Sequence, residues 1–79
     1  MSVERIGIIG LGLIGGSIGL AVRHRLMIPV IGMDADEQVA RRALEIGSVT
    51  TIVHSFNELD ACDLLFVCAP ILTSAKMLV

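Results

Sequence analysis

The sequence of 79 residues predicts an α/β fold built on a parallel sheet of about four strands. Two observations carry this prediction. Short apolar runs rich in β-branched residues alternate with segments of helical periodicity, and a glycine-rich turn joins the first run to the first helix. Such alternation is typical of parallel sheets connected by right-handed crossovers. The expected order is β-α-β-α-β, a short helical turn, then β-α.

Two strand–helix pairs make up the first half of the chain. The predicted elements are a strand at Arg5–Ile9, a helix from Leu13 to about Leu26, a strand at Pro29–Met33 and a helix at Glu37–Ile46. Residues at helical spacing mark an apolar face on each helix: Ile14, Ile18 and Val22 on the first, and Val39, Ala43 and Ile46 on the second. Asp36 is the expected N-cap of the second helix, and Gly47 its left-handed C-terminal cap.

The second half contains two further strands. The predicted elements are a strand at Val49–Val53, a capping box at Ser55–Glu58 that opens a short helical turn, a strand at Leu64–Cys68, and the start of a helix at Leu72–Val79. Ala69 and Pro70 end the fourth strand. We expect that strand beside the first, in the order 3-2-1-4. It would then form an apolar edge that favours aggregation.

Composition excludes two function classes. The net charge is -2, and neither a basic run nor an aromatic platform points to nucleic acid. Cys62 and Cys68 match no zinc or redox spacing, so we expect no metal and interpret both as small buried hydrophobes of a cytoplasmic protein.

Hydrophobic residues make up 54% of the chain, more than the core of so small a domain can bury. The chain therefore meets a partner or forms part of a larger domain.

A membrane segment or signal peptide is the alternative interpretation of the amino-terminal region. The 17 residues from Ile6 to Val22 carry no charge, and a length of 17 residues is the lower limit for a membrane-spanning helix. However, Glu4 stands where a signal peptide has positive charge, and no cleavage site follows. Six glycines in this stretch would also destabilise a soluble helix by about 1 kcal/mol each relative to alanine. We therefore expect no membrane association.

The glycines of the first turn form the pattern G-x-G-x-x-G at residues 10–15. After a strand and before a helix, this pattern predicts a Rossmann-type, doubly wound dinucleotide-binding fold, here incomplete. Gly10 permits the tight turn, Gly12 lets the backbone approach a pyrophosphate, and Gly15 lets the helix pack closely. The N–H groups of Leu13 and Ile14, at the positive end of the helix, are expected to face the phosphates.

Asp34 is the expected ribose-binding residue. It ends the second strand, 19 residues after Gly15. A carboxylate there accepts hydrogen bonds from the ribose hydroxyls of the adenosine half and repels a 2′-phosphate, which favours NAD over NADP. Arg41 and Arg42 lie further along the second helix. The alternative role for Asp34 is a helix-entry cap, which Asp36 can fill equally well.

The end of the fourth strand is the remaining candidate part of the site. In the strand order 3-2-1-4, Ala69, Pro70 and Ile71 lie at the carboxyl edge of the sheet, above the cofactor. Their backbone and small side chains are expected to line the dinucleotide, although a simple strand-ending turn explains each residue equally well. His24, His54 and Ser17 are interpreted as solvated or structural, so no catalytic residue is assigned.

Three stretches resemble one known family. The runs "IGIIGLGLIGGSIGLAV", "VIGMD" and "DLLFVCAPI" are similar to the start of prephenate and arogenate dehydrogenases, enzymes of tyrosine biosynthesis. The Gly-Leu-Gly-Leu-Ile-Gly-Gly-Ser form at residues 10–17 carries most of the resemblance. Hydroxyisobutyrate dehydrogenases and pyrroline-carboxylate reductases usually differ there.

The resemblance implies an NAD-dependent oxidoreductase. Prephenate would lose hydride to NAD and CO₂ to solvent, giving 4-hydroxyphenylpyruvate; arogenate would give tyrosine. The family's catalytic histidine, its cationic residues for the substrate carboxylates and its helical dimerisation domain match nothing in residues 1–79. We therefore expect this stretch to be the amino-terminal part of a dinucleotide-binding domain, inactive alone, from a protein that forms a homodimer. The alternatives are a non-catalytic NAD-binding regulatory module and the NAD domain of another hydroxyacid-type dehydrogenase.

Overall fold

A four-stranded parallel sheet is the centre of the computed structural model, which describes residues 2–69. The elements are β1 (Ile6–Ile9), α1 (Leu13–Arg25), β2 (Val30–Met33), α2 (Glu37–Ile46), β3 (Thr51–Ile52), the 3₁₀ turn η1 (Phe56–Leu59) and β4 (Leu64–Val67). The strand order is β3-β2-β1-β4, with every pair parallel. The predicted α/β class and strand order are thus confirmed. The predicted helix at Leu72–Val79 lies outside the described residues.

The core lies between the sheet and the two helices. Ile6, Ile8 and Val30 are at most 2% exposed and face α1 and α2. Ala40 and Ala43 pack onto them from α2. Burial of β-branched strand residues beneath helices is the usual source of stability in parallel sheets. The side of the sheet that faces the helices is therefore well covered over β1 and β2.

The predicted apolar face of α1 is confirmed at Ile18 and Val22, which pack against the core, but the most deeply buried residues of the helix are glycines. Gly15, Gly16 and Gly19 are its buried residues, whereas Ile14 is 69% exposed. The reason is steric: a β-carbon at Gly19 would collide with the carbonyl oxygen of Ser48. At Gly15 and Gly19 the helix approaches its neighbours too closely for a side chain, so glycine forms the contact there. The apolar face predicted for Ile14 was wrong.

Helix α2 has the predicted ends and part of the predicted buried face. The Asp36 carboxylate accepts hydrogen bonds from the backbone N–H groups of Gln38 and Val39, and Gly47 has a left-handed φ of 84°. Both predicted caps are confirmed. Ala43 is buried and Val39 is half-buried against the core, so the predicted face is confirmed at these two residues, whereas Ile46 is 51% exposed and lies outside it.

The carboxylate of Asp63, directly before β4, holds the entry to β1. Asp63 Oδ2 accepts hydrogen bonds from the backbone N–H groups of Glu4 (2.8 Å) and Arg5 (3.1 Å), and the Asp63 N–H donates to the Arg5 carbonyl. Just before it, Cys62 is half-buried with its sulfur close to Gly7. Burial raises the pKa of the Cys62 thiol. These contacts fasten β4 to the start of β1.

The loop after β3 forms the predicted capping box. Glu58 Oε2 accepts hydrogen bonds from the backbone N–H groups of His54 and Ser55, both at 3.1 Å, and from the Ser55 hydroxyl. The His54 N–H is the main cause that lowers the pKa of Glu58. The ionised carboxylate therefore stabilises this loop.

Replacing Glu58 with glutamine is expected to flatten the dependence of stability on pH in the acid range. A carboxyl whose pKa is lower in the folded state stabilises the fold above its ordinary pKa of 4.5, and this contribution is lost as the pH falls through the lowered value. Melting temperatures of wild type and Glu58→Gln between pH 3 and 7 test this. Glu45→Gln, at an exposed position of α2, is the control. Identical pH profiles for wild type and Glu58→Gln would contradict the assignment.

Neither α-helix found in residues 2–69 has both the length and the apolar character needed to cross a bilayer. The stretch from Ile6 to Val22 is instead divided between β1, a turn and α1.

Candidate functional site: the glycine turn and the carboxyl edge of the sheet

The glycine turn lies where three strands end. Gly10 has a φ of 91°, which favours glycine, and its N–H donates to the Met33 carbonyl at 2.8 Å. A β-carbon on Gly10 would lie 2.5 Å from the backbone nitrogen of Ala69. The turn is thus packed between the end of β2 and the residues that follow β4, and only glycine fits there.

The amino-terminal end of α1 is open. The first helical hydrogen bond runs from the Gly16 N–H to the Gly12 carbonyl (2.8 Å), so the N–H groups of Leu13, Ile14 and Gly15 precede it. No side chain caps this end, and its first turn carries no acidic residue. A β-carbon added at Gly12 would meet nothing within 4 Å. The turn therefore leaves space and backbone donors for an anionic group.

Gly15 performs a different task from Gly12. A β-carbon at Gly15 would collide with the carbonyl oxygen of Gly10 and lie 3.3 Å from Ile8 Cγ2. The first turn of α1 thus rests directly on the glycine turn and β1. This contact orients the open helix end over the carboxyl edge of the sheet.

Asp34 contacts the glycine turn directly, which was not predicted. Its Oδ2 accepts a hydrogen bond from the Leu11 N–H at 2.7 Å, and its Oδ1 accepts one from the Asp36 N–H at 2.8 Å. The side chain is half-buried. Asp36 caps α2, so the alternative role of helix cap belongs to Asp36. Each oxygen of an ionised carboxylate can accept a second hydrogen bond, which leaves acceptor capacity for a hydroxyl group.

One cavity lies between the start of the glycine turn and Asp34. It has a volume of about 240 Å³ and is lined by Ile9, Gly10, Met33, Asp34, Ala35, Phe56 and Ala69. Three predicted site residues, Gly10, Asp34 and Ala69, thus share one space, which we call the edge cavity. Pro70 and Ile71 lie outside the described residues. Phe56 was not predicted as a site residue. It reaches the edge cavity because the segment between β3 and β4 crosses from one side of β1 and β2 to the other.

Two further cavities lie next to Asp34 or to the glycine turn. One, of about 260 Å³, lies on the other side of Asp34, and Arg41 and His54 also line it. Arg41 and Asp34 thus border the same space. The other, of about 380 Å³, lies between α1 and α2 and is lined mainly by apolar residues. Within residues 2–69 no group of three histidine, cysteine or acidic side chains is arranged to hold a metal ion.

Comparisons with solved structures find similar folds. The chain matches the crystal structure of an arogenate dehydrogenase from Synechocystis with a TM-score of 0.79 and 30% sequence identity over 94% of its length. It matches a prephenate dehydrogenase from A. aeolicus, in complex with hydroxyphenyl propionate and NAD⁺, with a TM-score of 0.82 over 98% of its length. Identity in the second case is 20%, which supports the fold alone. The resemblance noted in the sequence is thus confirmed at the level of structure.

The chain spans only about a quarter of these proteins, 26% of the first and 28% of the second. No family model matches the chain. No curated protein matches it either. The likeness therefore concerns the region of those dehydrogenases that corresponds to β1 through β4.

Proposed function

We propose that these 79 residues are the NAD-binding part of a prephenate or arogenate dehydrogenase. One observation supports this most strongly: the Asp34 carboxylate and the open end of α1 are joined by the Leu11 N–H into a single site. That site offers backbone donors for a pyrophosphate and a carboxylate acceptor for a ribose, as a dinucleotide requires. The similarity to two dehydrogenases, one of them solved with NAD⁺, supports the choice of ligand.

The residues present fit NAD in chemistry and in space. The N–H groups of Leu13 and Ile14 would hold the pyrophosphate over Gly12, where no side chain intervenes. Asp34 would accept hydrogen bonds from the adenosine ribose and disfavour a 2′-phosphate. Gly10 and Gly15 hold the turn and the helix in this arrangement. When bound, NAD supplies the hydride acceptor, and this chain's part is to bind and orient it.

The reaction we infer for the whole protein is oxidation coupled to decarboxylation. Hydride leaves the carbon that bears the substrate hydroxyl, the hydroxyl proton goes to a base, and CO₂ leaves as the ring becomes aromatic. The base and the cations for the substrate carboxylates match no described residue, so we assign them to parts of the protein outside this stretch. A cytoplasmic homodimer that binds a small carboxylate substrate completes the proposal.

A protein consisting of residues 1–79 is expected to bind NAD without oxidising prephenate or arogenate. Binding needs only the glycine turn and Asp34, whereas turnover needs a base and a substrate site as well. Calorimetric titration with NAD measures binding, and absorbance of NADH in the presence of each substrate measures turnover. Turnover by this protein would contradict the assignment of catalysis to other segments.

Gly12→Ala provides the matched variant for this titration. An added β-carbon meets no protein atom, so the fold should persist. The methyl group occupies the space assigned to the pyrophosphate, so NAD affinity should fall at least about tenfold, equal to about 1.4 kcal/mol. Unchanged affinity in Gly12→Ala, or no binding by wild type, would reject the proposed site.

A further inference from the structure

Phe56 is an exposed aromatic side chain on the rim of the edge cavity. It is 65% exposed and lines this cavity together with Gly10 and Asp34. The chain has one other aromatic residue, Phe66, which lies within β4 and packs against the core. A single exposed apolar residue is ordinary. Phe56 differs from such residues because it lies beside Asp34, the carboxylate that is the candidate ribose-binding group.

The edge cavity combines one carboxylate with apolar walls. Apart from Asp34, its lining side chains are hydrocarbon or thioether groups, from Ile9, Met33, Ala35, Phe56 and Ala69. The base of a nucleotide is attached to the same ribose that Asp34 is proposed to bind. The base must therefore lie within one sugar length of that carboxylate. An apolar wall with an aromatic ring suits the flat face of a purine.

We propose that Phe56 is the residue of this site that stacks on the nucleotide base, which in NAD is adenine. The proposal rests on the function proposed above and adds a residue that the glycine motif does not include. It identifies the adenosine half of NAD as the part that binds in the edge cavity. Adenosine diphosphate alone should accordingly occupy the site.

The loop around Phe56 is held in place before any ligand arrives. Glu58 Oε2 accepts hydrogen bonds from the N–H groups of His54 and Ser55, which directly precede Phe56. The aromatic ring therefore extends from a short, internally bonded turn. A ligand that contacts it has little loop entropy to overcome.

The expected loss of affinity is that of one base stacked on one aromatic ring. When an aromatic residue that stacks on a base is replaced with alanine, the affinity for the nucleic acid or nucleotide falls by about 5- to 100-fold. Phe56→Ala should lower the affinities for NAD and for adenosine diphosphate by the same factor, because both contain the adenosine half. Phe56→Tyr keeps the ring and should bind as wild type. Leu26→Ala, which removes a 56% exposed side chain at the far end of α1, is the matched control.

Phe56→Trp supplies a direct signal of contact. The chain contains no tryptophan, so this variant has a single fluorescent reporter at the proposed contact. Adenosine diphosphate should quench its emission, whereas inorganic pyrophosphate, which has no base, should not. A merely structural role for Phe56 predicts no such difference between the two probes.

The outcomes separate this inference from the proposed function. Quenching by adenosine diphosphate, together with the loss in Phe56→Ala, supports the proposal. If wild type binds NAD but Phe56→Ala binds equally well and the tryptophan is not quenched, the assignment of Phe56 is wrong and the proposed function stands. If wild type binds neither NAD nor adenosine diphosphate, the proposed function itself fails.

Discussion

Replacing Gly15 with alanine is expected to destabilise the fold by about 3 kcal/mol and to abolish NAD binding. The added β-carbon would collide with the Gly10 carbonyl oxygen and press on Ile8. Both neighbours are parts of β1 and its turn, so relief requires α1 to move away from the sheet. Small domains have total stabilities of only about 5–15 kcal/mol, so this loss is large. Urea denaturation followed by circular dichroism measures it.

The neighbouring glycine provides a matched control for Gly15→Ala. A β-carbon at Gly16 would lie 3.5 Å from the Leu11 carbonyl oxygen and 3.8 Å from Ser48 Oγ, which are ordinary contacts. Alanine also favours helix over glycine by up to about 1 kcal/mol. Gly16→Ala should therefore retain or raise stability. Equal destabilisation by the two substitutions would show that the close approach at Gly15 does not govern this packing.

Replacing Asp34 with serine is expected to lower NAD affinity strongly and to shift the ratio of affinities toward NADP. The variant loses the ribose acceptor and the hydrogen bond from the Leu11 N–H. Hydrogen bonds to a charged group contribute about 1.5–3 kcal/mol each, so NAD affinity should fall by about 10- to 100-fold. Loss of the negative charge removes the repulsion of a 2′-phosphate. Loss of the hydrogen bond from the Leu11 N–H also loosens the glycine turn, which weakens the binding of both cofactors. We therefore expect a higher ratio of NADP affinity to NAD affinity, but not tight binding of NADP.

Two further variants separate these effects. Asp36→Ala removes the α2 cap two residues away, at a cost of about 1 kcal/mol in stability, and should leave the cofactor ratio unchanged. Arg41 lines a cavity with Asp34, where its positive charge would attract a 2′-phosphate, so adding Arg41→Ala to Asp34→Ser should reduce the shift toward NADP without abolishing it. An unchanged ratio in Asp34→Ser would disprove the role given to its charge.

Hydrophobic periodicity and capping residues predicted most element positions closely. Helix α2 has its predicted bounds, and β1, β2 and β4 differ from prediction by a single residue. The exception is β3, predicted at Val49–Val53 and observed at Thr51–Ile52. The Ser48 N–H bonds to the Ala43 carbonyl and so extends the end of α2, while Val49 turns into the core. Tertiary packing thus shortens a strand that β-propensity alone favours.

The candidate site was predictable only in its outline. The motif spacing placed Gly10, Gly12 and Asp34 at one edge of the sheet, because parallel strands end together. It did not indicate that Asp34 would accept a hydrogen bond from the Leu11 N–H, since the direction of a loop amide depends on backbone torsions that no side-chain pattern encodes. Phe56 was missed for a related reason, because its neighbours come from strands distant in sequence.

The two faces of the sheet are buried to different extents, and this difference affects the enthalpy and entropy of thermal unfolding. Ile8 and Val30 are fully enclosed beneath the helices, whereas Leu65 and Val67, on the side of η1, keep 43% and 58% of their surface in water. Unfolding therefore exposes less apolar surface than it would in a sheet covered on both sides, so the enthalpy and entropy of unfolding are smaller. In a domain of this size, each kcal/mol of ligand binding raises the transition temperature by about 4–8 °C. Differential scanning fluorimetry with an external dye is accordingly a sensitive way to screen nucleotides against this fold.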